Sequence, residues 1–232
     1  MGSRVITLFE NLFNNNVIKF SNNEGQTFIL GEQRREDYAG YILNVAGLPR
    51  SAYMIDLDNN FSVEHIFNGS HSEAKRPDYL IVDPENSIAC VIELKGGSIR
   101  KRRADIVNQL KGGEAFLKYC EAVIKAFAES GDVGKCVCPC EWCNQTYESH
   151  KYKIRYVCIY GLGSEESLGS KKGRRLAGSP KRRVVPPLNE NIKSKAIVEN
   201  TPDNFVKFGP GDIVQNDKSG HMQIYWNKVL YG

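Results

Sequence analysis

The sequence lacks any apolar run near the roughly 18 residues that mark a membrane-spanning helix, which excludes such a helix. Its first residues carry no apolar signal-peptide core, so the expected location is cytoplasmic or otherwise intracellular. No internal repeat appears, and no low-complexity tract outside one basic stretch. Neither sign of charge dominates, and a net +4 over the whole molecule says little about partners. What is present is ordinary for a globular protein: 41% apolar and 25% charged residues. A chain of 232 residues can bury a full core, and residues 1–232 read as one domain. The seven cysteines are an odd number, and four of them cluster. Without a secretion signal, clustered cysteines point to metal or free thiols before disulfides.

The most informative stretch is Arg76 to Gly97. Two apolar runs, Tyr79–Val82 and Ile88–Ile92, flank Pro84-Glu85-Asn86-Ser87, whose residue types favour a turn. The simplest reading is an antiparallel hairpin in which Asp83 faces Ser87 or Ile88. In the second register Asp78 lies directly opposite Glu93, with Cβ atoms roughly 4.5–5.5 Å apart. Lys95, two residues beyond Glu93, points to the same face. Two facing carboxylates repel, and both runs are apolar enough to be buried, so something positive must compensate. A divalent cation between Asp78 and Glu93 would do so. Mg²⁺ takes oxygen ligands, usually one or two carboxylates with water and substrate phosphate. Such a metal beside a lysine suits phosphodiester hydrolysis, in which the lysine orients or deprotonates a water, or stabilises developing charge.

Pro77-Asp78, a short gap, then Glu93-Leu94-Lys95 resembles the PD-(D/E)XK nuclease signature. The resemblance spans residues 72–119. It implies an α/β fold, with a mixed central sheet flanked by helices in a restriction-endonuclease-like core. It implies a hydrolase: a Mg²⁺- or Mn²⁺-dependent endonuclease acting on DNA, of restriction type. Asp78, Glu93 and the main-chain oxygen of Leu94 would be metal ligands, with Lys95 catalytic. Such enzymes are often homodimers on palindromic sites. The family often adds a third acid from an N-terminal helix. Glu36 and Glu64 are the leading candidates, with Glu10 and Glu32 behind them. His65 leaves open an RNA endonuclease resembling the cap-snatching type. A non-catalytic nucleic-acid-binding protein is the other alternative.

Residues Ile99–Lys111 begin a helix that continues to Ala128 with a disturbance at Gly112-Gly113. Its core-facing stripe is Ile106, Leu110, Ala115 or Glu114, Leu117 and Ile124. Asp105 and Gln109 share a face, and the resemblance gives Gln109 a place near the catalytic residues. Members with a QxxxY motif carry a tyrosine four residues on. Gly113 stands there, so the chain departs from the exonuclease subtype. Arg100, Lys101, Arg102 and Arg103 form a basic run where the helix dipole disfavours it, which suggests phosphate contacts. Residues 164–195 read as a basic flexible loop carrying Lys171, Lys172, Arg174, Arg175, Lys181, Arg182 and Arg183. It too fits a nucleic-acid backbone.

Residues 136–150 form a Cys-rich insertion. Cys140 and Cys143 make a CxxC half-site for structural Zn²⁺. Further ligands would come from Cys136, Cys138, His150, Cys120 or Cys158, which would make a zinc knuckle. Four cysteines so close also suit an iron–sulfur cluster. Elsewhere the pattern predicts a helix over Val5–Phe13, strands over Val17–Phe20 and Thr27–Leu30, and a helix over Glu32–Val45. Strands are expected over Tyr53–Leu57, Phe61–Phe67, Ile154–Tyr160 and Ala196–Val198.

Overall fold

The computed structural model describes residues 13, 16–20, 27–32, 40–61, 66, 68–70, 72–129, 152–163, 200–215 and 222–232. The Cys136–Cys143 cluster, His150, Lys171–Arg183, Glu10, Glu36, Glu64, His65 and Ala196–Val198 lie outside the described residues. So does the side chain of Glu32.

The chain is α/β. Ten strands are described: β1 (Ile18–Phe20), β2 (Thr27–Glu32), β3 (Tyr41–Ala46), β4 (Tyr53–Asp56), β5 (Tyr79–Asp83), β6 (Ile88–Lys95), β7 (Lys153–Tyr160), β8 (Val206–Phe208), β9 (Val214–Gln215) and β10 (Met222–Tyr225). Three α-helices accompany them: α1 (Leu57–Asn60), α2 (Arg103–Glu129) and α3 (Trp226–Tyr231). The main sheet is mixed, in the order β1-β4-β5-β6-β7-β8, with β6, β7 and β8 mutually parallel. A smaller sheet runs β2-β3-β10-β9.

Strands β5 and β6 read as near-continuous apolar runs because both faces of the sheet are covered. Alternate residues serve opposite faces. Ile81, Ile88, Cys90, Ile92 and Leu94 pack toward Phe28, Leu30, Leu43, Val45 and Ile224 of the small sheet. Leu80, Val82, Ala89 and Val91 pack toward Ile106, Leu110 and Leu117 of α2. The layers are therefore sheet, sheet and helix. Among the described residues, the face opposite α2 is covered by the small sheet together with α3, whose Trp226, Val229 and Leu230 join the same core.

That sheet includes β3, where the sequence pattern predicts a helix. Tyr41, Leu43 and Val45 are buried while Ile42 is 47% exposed, a strand's alternation. Tyr53–Leu57 ends as a strand at Asp56, whose carboxylate accepts from Asn59 N–H at 3.1 Å and caps α1. Phe61 is not in a strand, and residues 62–65 and 67 lie outside the described residues. Helix α2 begins at Arg103 rather than Ile99 and runs unbroken through Gly112-Gly113. Leu117 is buried as expected, but Ala115 faces solvent and buried Gly113 takes its place in the stripe.

The hairpin turn is fixed from within. Asp83, fully buried, accepts from Asn86 N–H at 3.1 Å, from Asn86 Nδ2 at 2.7 Å and from Trp226 Nε1 at 2.8 Å. These bonds hold the turn and tie it to α3. Ser87 adopts φ 55°, in the left-handed region, as turn residues can.

Candidate active site

The register follows from the turn. Asp83 pairs with Ile88, and the ladder runs out to Tyr79 opposite Ile92. One step further, Asp78 meets the Glu93–Leu94 end of β6, as the Ile88 register requires. Its carboxylate Oδ2 accepts from Leu94 N–H at 2.5 Å, and its carbonyl accepts from Leu57 N–H at 2.9 Å. The structure thus brings Asp78, Glu93 and Lys95 together at one end of the sheet, on the face that α2 covers.

Glu93 is fully buried. Its Oε1 accepts from Lys95 Nζ in a tight ion pair, and its Oε2 is buried with no partner among the described residues. Burial pushes its carboxyl up to about 8; the neighbouring Asp78 charge adds to this, and Lys95 opposes it. Burial alone lowers the pKa of Lys95, but the charges of Glu93, Asp78 and Asp105 outweigh it and leave it raised. The Glu93 contribution to that rise requires an ionised Glu93, so the two groups titrate as a pair. The direction that decides the site's behaviour is the upward push on Glu93, because its cause is burial.

This sets a pH dependence. Glu93 binds its proton more tightly folded (about 8) than at its ordinary value of 4.5. Its contribution to stability is therefore full below 4.5 and lost as pH rises through about 8. Melting in EDTA from about pH 5 to about pH 9 is expected to show stability falling by on the order of a few kcal/mol. Glu93→Gln should flatten that slope. A wild-type slope of the opposite sign, or one that the substitution leaves unchanged, would contradict a proton held by burial.

Around this core the neighbours are polar. Asp105, in the first turn of α2, pairs with Lys75 at 3.0 Å. Gln109, one turn on, is partly buried, and its Oε1 has no partner among the described residues. Gly112 and Gly113 let α2 approach the Arg76-Pro77-Asp78 segment closely. A Cβ on Gly113 would sit 2.5 Å from Val91 Cγ1 and 2.7 Å from Pro77 Cγ. No tyrosine fits where the QxxxY motif would need one.

The donor set suits a hard divalent cation. The Asp78 and Glu93 carboxylates are near enough for one charge to act on the other, and among the described residues one buried Glu93 oxygen lacks a partner. Among the described residues no group of three or more His, Cys, Asp or Glu is placed to hold a metal ion. Cys120 and Cys158 are buried free thiols, each pushed up to about 12 chiefly by burial.

Arg100, Lys101, Arg102 and Arg103 are all exposed. Arg103 opens α2 and the Arg102 carbonyl accepts its first hydrogen bond, from Ile106 N–H, so this end of the run stands where the dipole disfavours it. Arg103 Nη2 donates to the carbonyl of Asp203. The sequence reading missed Lys207, which the sheet register brings to the same edge. A lone lysine in a short strand gives no signal of its own.

Comparison with family models, curated proteins and solved structures finds no match to the chain.

Proposed function

We propose that the chain is a Mg²⁺- or Mn²⁺-dependent endonuclease that hydrolyses phosphodiester bonds in DNA, of restriction type, on a PD-(D/E)XK core. The observation that carries this reading is the buried Glu93 with an unpartnered oxygen, Lys95 on its other oxygen and Asp78 beside it. The order β5, β6, α2, β7 also supports it, since strand, strand, helix and strand make up that core. Asp78, Glu93 and the Leu94 carbonyl would hold the metal. When bound, the metal supplies charge neutralisation at the phosphate and acidifies a water.

The chain's own residues do the rest. Asp78 is oriented by the Leu94 N–H, so its other oxygen is positioned for the site. The neighbouring acids Glu93, Asp78 and Asp105 leave the Lys95 pKa raised against the effect of burial, so it stays an ammonium and acts as a donor. It orients the attacking water and stabilises the charge that develops as the new P–O bond forms and the leaving P–O bond breaks. Gln109 would accept from a water with its amide oxygen or donate to a phosphate oxygen with its NH₂. Arg100 to Arg103 would contact the DNA backbone, and a homodimer would meet a palindromic site with matching symmetry.

The test is a substrate panel: plasmid, linear and single-stranded DNA and RNA, each with Mg²⁺, Mn²⁺ or EDTA. Metal-dependent cutting of DNA into discrete bands is the expected result. Cutting of RNA alone would overturn the DNA assignment, and no cutting of any substrate would overturn the nuclease reading.

A further inference from the structure

Beside the Asp78–Glu93–Lys95 cluster, an open cleft of about 470 Å³ lies between the start of α2 and the β7–β8 edge. Ser98, Arg100, Arg103, Tyr160, Phe205 and Lys207 line it, and among the described residues no acidic side chain does. Phe205 is buried, and two cations share its ring: Arg103 Cζ and Lys207 Nζ each lie 5.4 Å from the centroid. Asp203, two residues before Phe205, has its carboxylate 3.4 Å from Lys111, and its carbonyl accepts from Arg103 Nη2.

The sheet register joins this cleft to the candidate active site. Glu93 pairs with Cys158, and Cys158 pairs with Lys207. Paired residues in neighbouring strands share a face, and neighbouring strands are about 4.8 Å apart. Lys207 therefore stands about 10 Å from Glu93, two strand spacings away on the same row and face. Lys95 likewise pairs with Tyr160, which forms the cleft wall. Two like charges share one ring and, among the described residues, no carboxylate lines the cleft, so the cleft favours an anion.

We propose that this cleft is a phosphate subsite. It holds a backbone phosphate of the cleaved strand, flanking the scissile one, between Lys207, Arg103 and Arg100. This rests on the nuclease reading, and it adds Lys207 and a direction of travel: the strand leaves the Lys95 end of β6 across β7 toward β8. The rival account makes Lys207 a mere cover for Phe205, for which its apolar stem suffices.

The test separates stem from charge. Binding of fluorescein-labelled duplex and single-stranded DNA is followed by anisotropy in EDTA over a range of KCl concentrations, for wild type, Lys207→Met and Lys207→Arg. Lys207→Met should weaken binding about three- to tenfold on all sequences and reduce the salt slope by about one. Lys207→Arg should retain both. Unchanged affinity and slope in Lys207→Met would overturn the subsite, as would a wild type that binds no nucleic acid. Cutting assays with Mg²⁺ run beside it. Lys207-dependent binding without cutting would overturn the nuclease reading and keep a phosphate site. Cutting with no Lys207 effect would do the reverse.

Discussion

Lys95→Ala is expected to slow metal-dependent DNA cleavage by about 10²- to 10⁴-fold, the range for removing a positioned proton-transfer or charge-stabilising group. DNA binding measured in EDTA should hardly change, because Lys95 is mostly buried against Glu93 and acts on the reacting phosphate. The fold should survive at neutral pH. Removing Lys95 strips Glu93 of its cation, and a buried unpaired carboxylate would be costly. Glu93 already binds its proton up to about 8, so at neutral pH the variant buries a neutral carboxyl instead. A thermal melt should accordingly show a loss that is small at neutral pH and larger in alkali. A variant that cuts as fast as wild type would remove Lys95 from the chemistry, and one that fails to bind DNA would make its role structural.

The second large effect is on stability, and its sign is diagnostic. In an ordinary helix Gly→Ala gains about 1 kcal/mol. Gly112→Ala is expected to lose about 2–3 kcal/mol instead, because overpacking against fixed atoms has a cost of that order. The new Cβ would sit 1.9 Å from the Lys75 carbonyl oxygen and 2.9 Å from its carbon, both main chain, so no side chain can swing aside. Either α2 or the 75–78 segment must shift. For a chain of this size the melting point should fall by about 5–10 °C. The same shift would displace Asp78, so cleavage should fall with stability. Ala115→Gly, on the exposed face of α2, should cost only about 1 kcal/mol. A Gly112→Ala variant that is more stable than wild type would mean that the close helix contact is absent.

Much of the candidate site was legible because it is local. The turn residues between Asp83 and Ile88 fix the register, and the register alone carries Asp78 to Glu93 and Lys95 to the same face. Glu93 and Lys95 stand two residues apart on one strand, which no tertiary rearrangement alters. What was not legible is what depends on distant contacts. Tyr41 and Val45 are four residues apart, a spacing that satisfies both a helix stripe and a strand's alternation. Only exposed Ile42 separates the two, and it does so only when β3 is seen pairing in parallel with β10, Leu43 beside Met222. The small sheet, whose β3 stands where a helix was expected, rests on that pairing.

The glycine pair shows a different failure. Gly112-Gly113 reads as a disturbance in isolation, because glycine weakens helices. In the fold it is the contact that lets α2 lie against Pro77 and Val91. Lys207 was invisible for a third reason. Its chemistry comes from a row across three strands, and β8 is separated in sequence from β7 by many residues.

The account's central claim is that Asp78 and Glu93 serve a metal that cuts a phosphodiester bond. Single-turnover cleavage of end-labelled duplex DNA, with Mg²⁺ titrated against wild type and Asp78→Asn, tests it most directly. The account predicts a wild-type rate that rises with Mg²⁺ and vanishes in EDTA, and an Asp78→Asn rate lower by about 10²-fold or more that excess metal does not restore. Wild-type cleavage that persists in EDTA would contradict it, as would an Asp78→Asn variant that cuts like wild type.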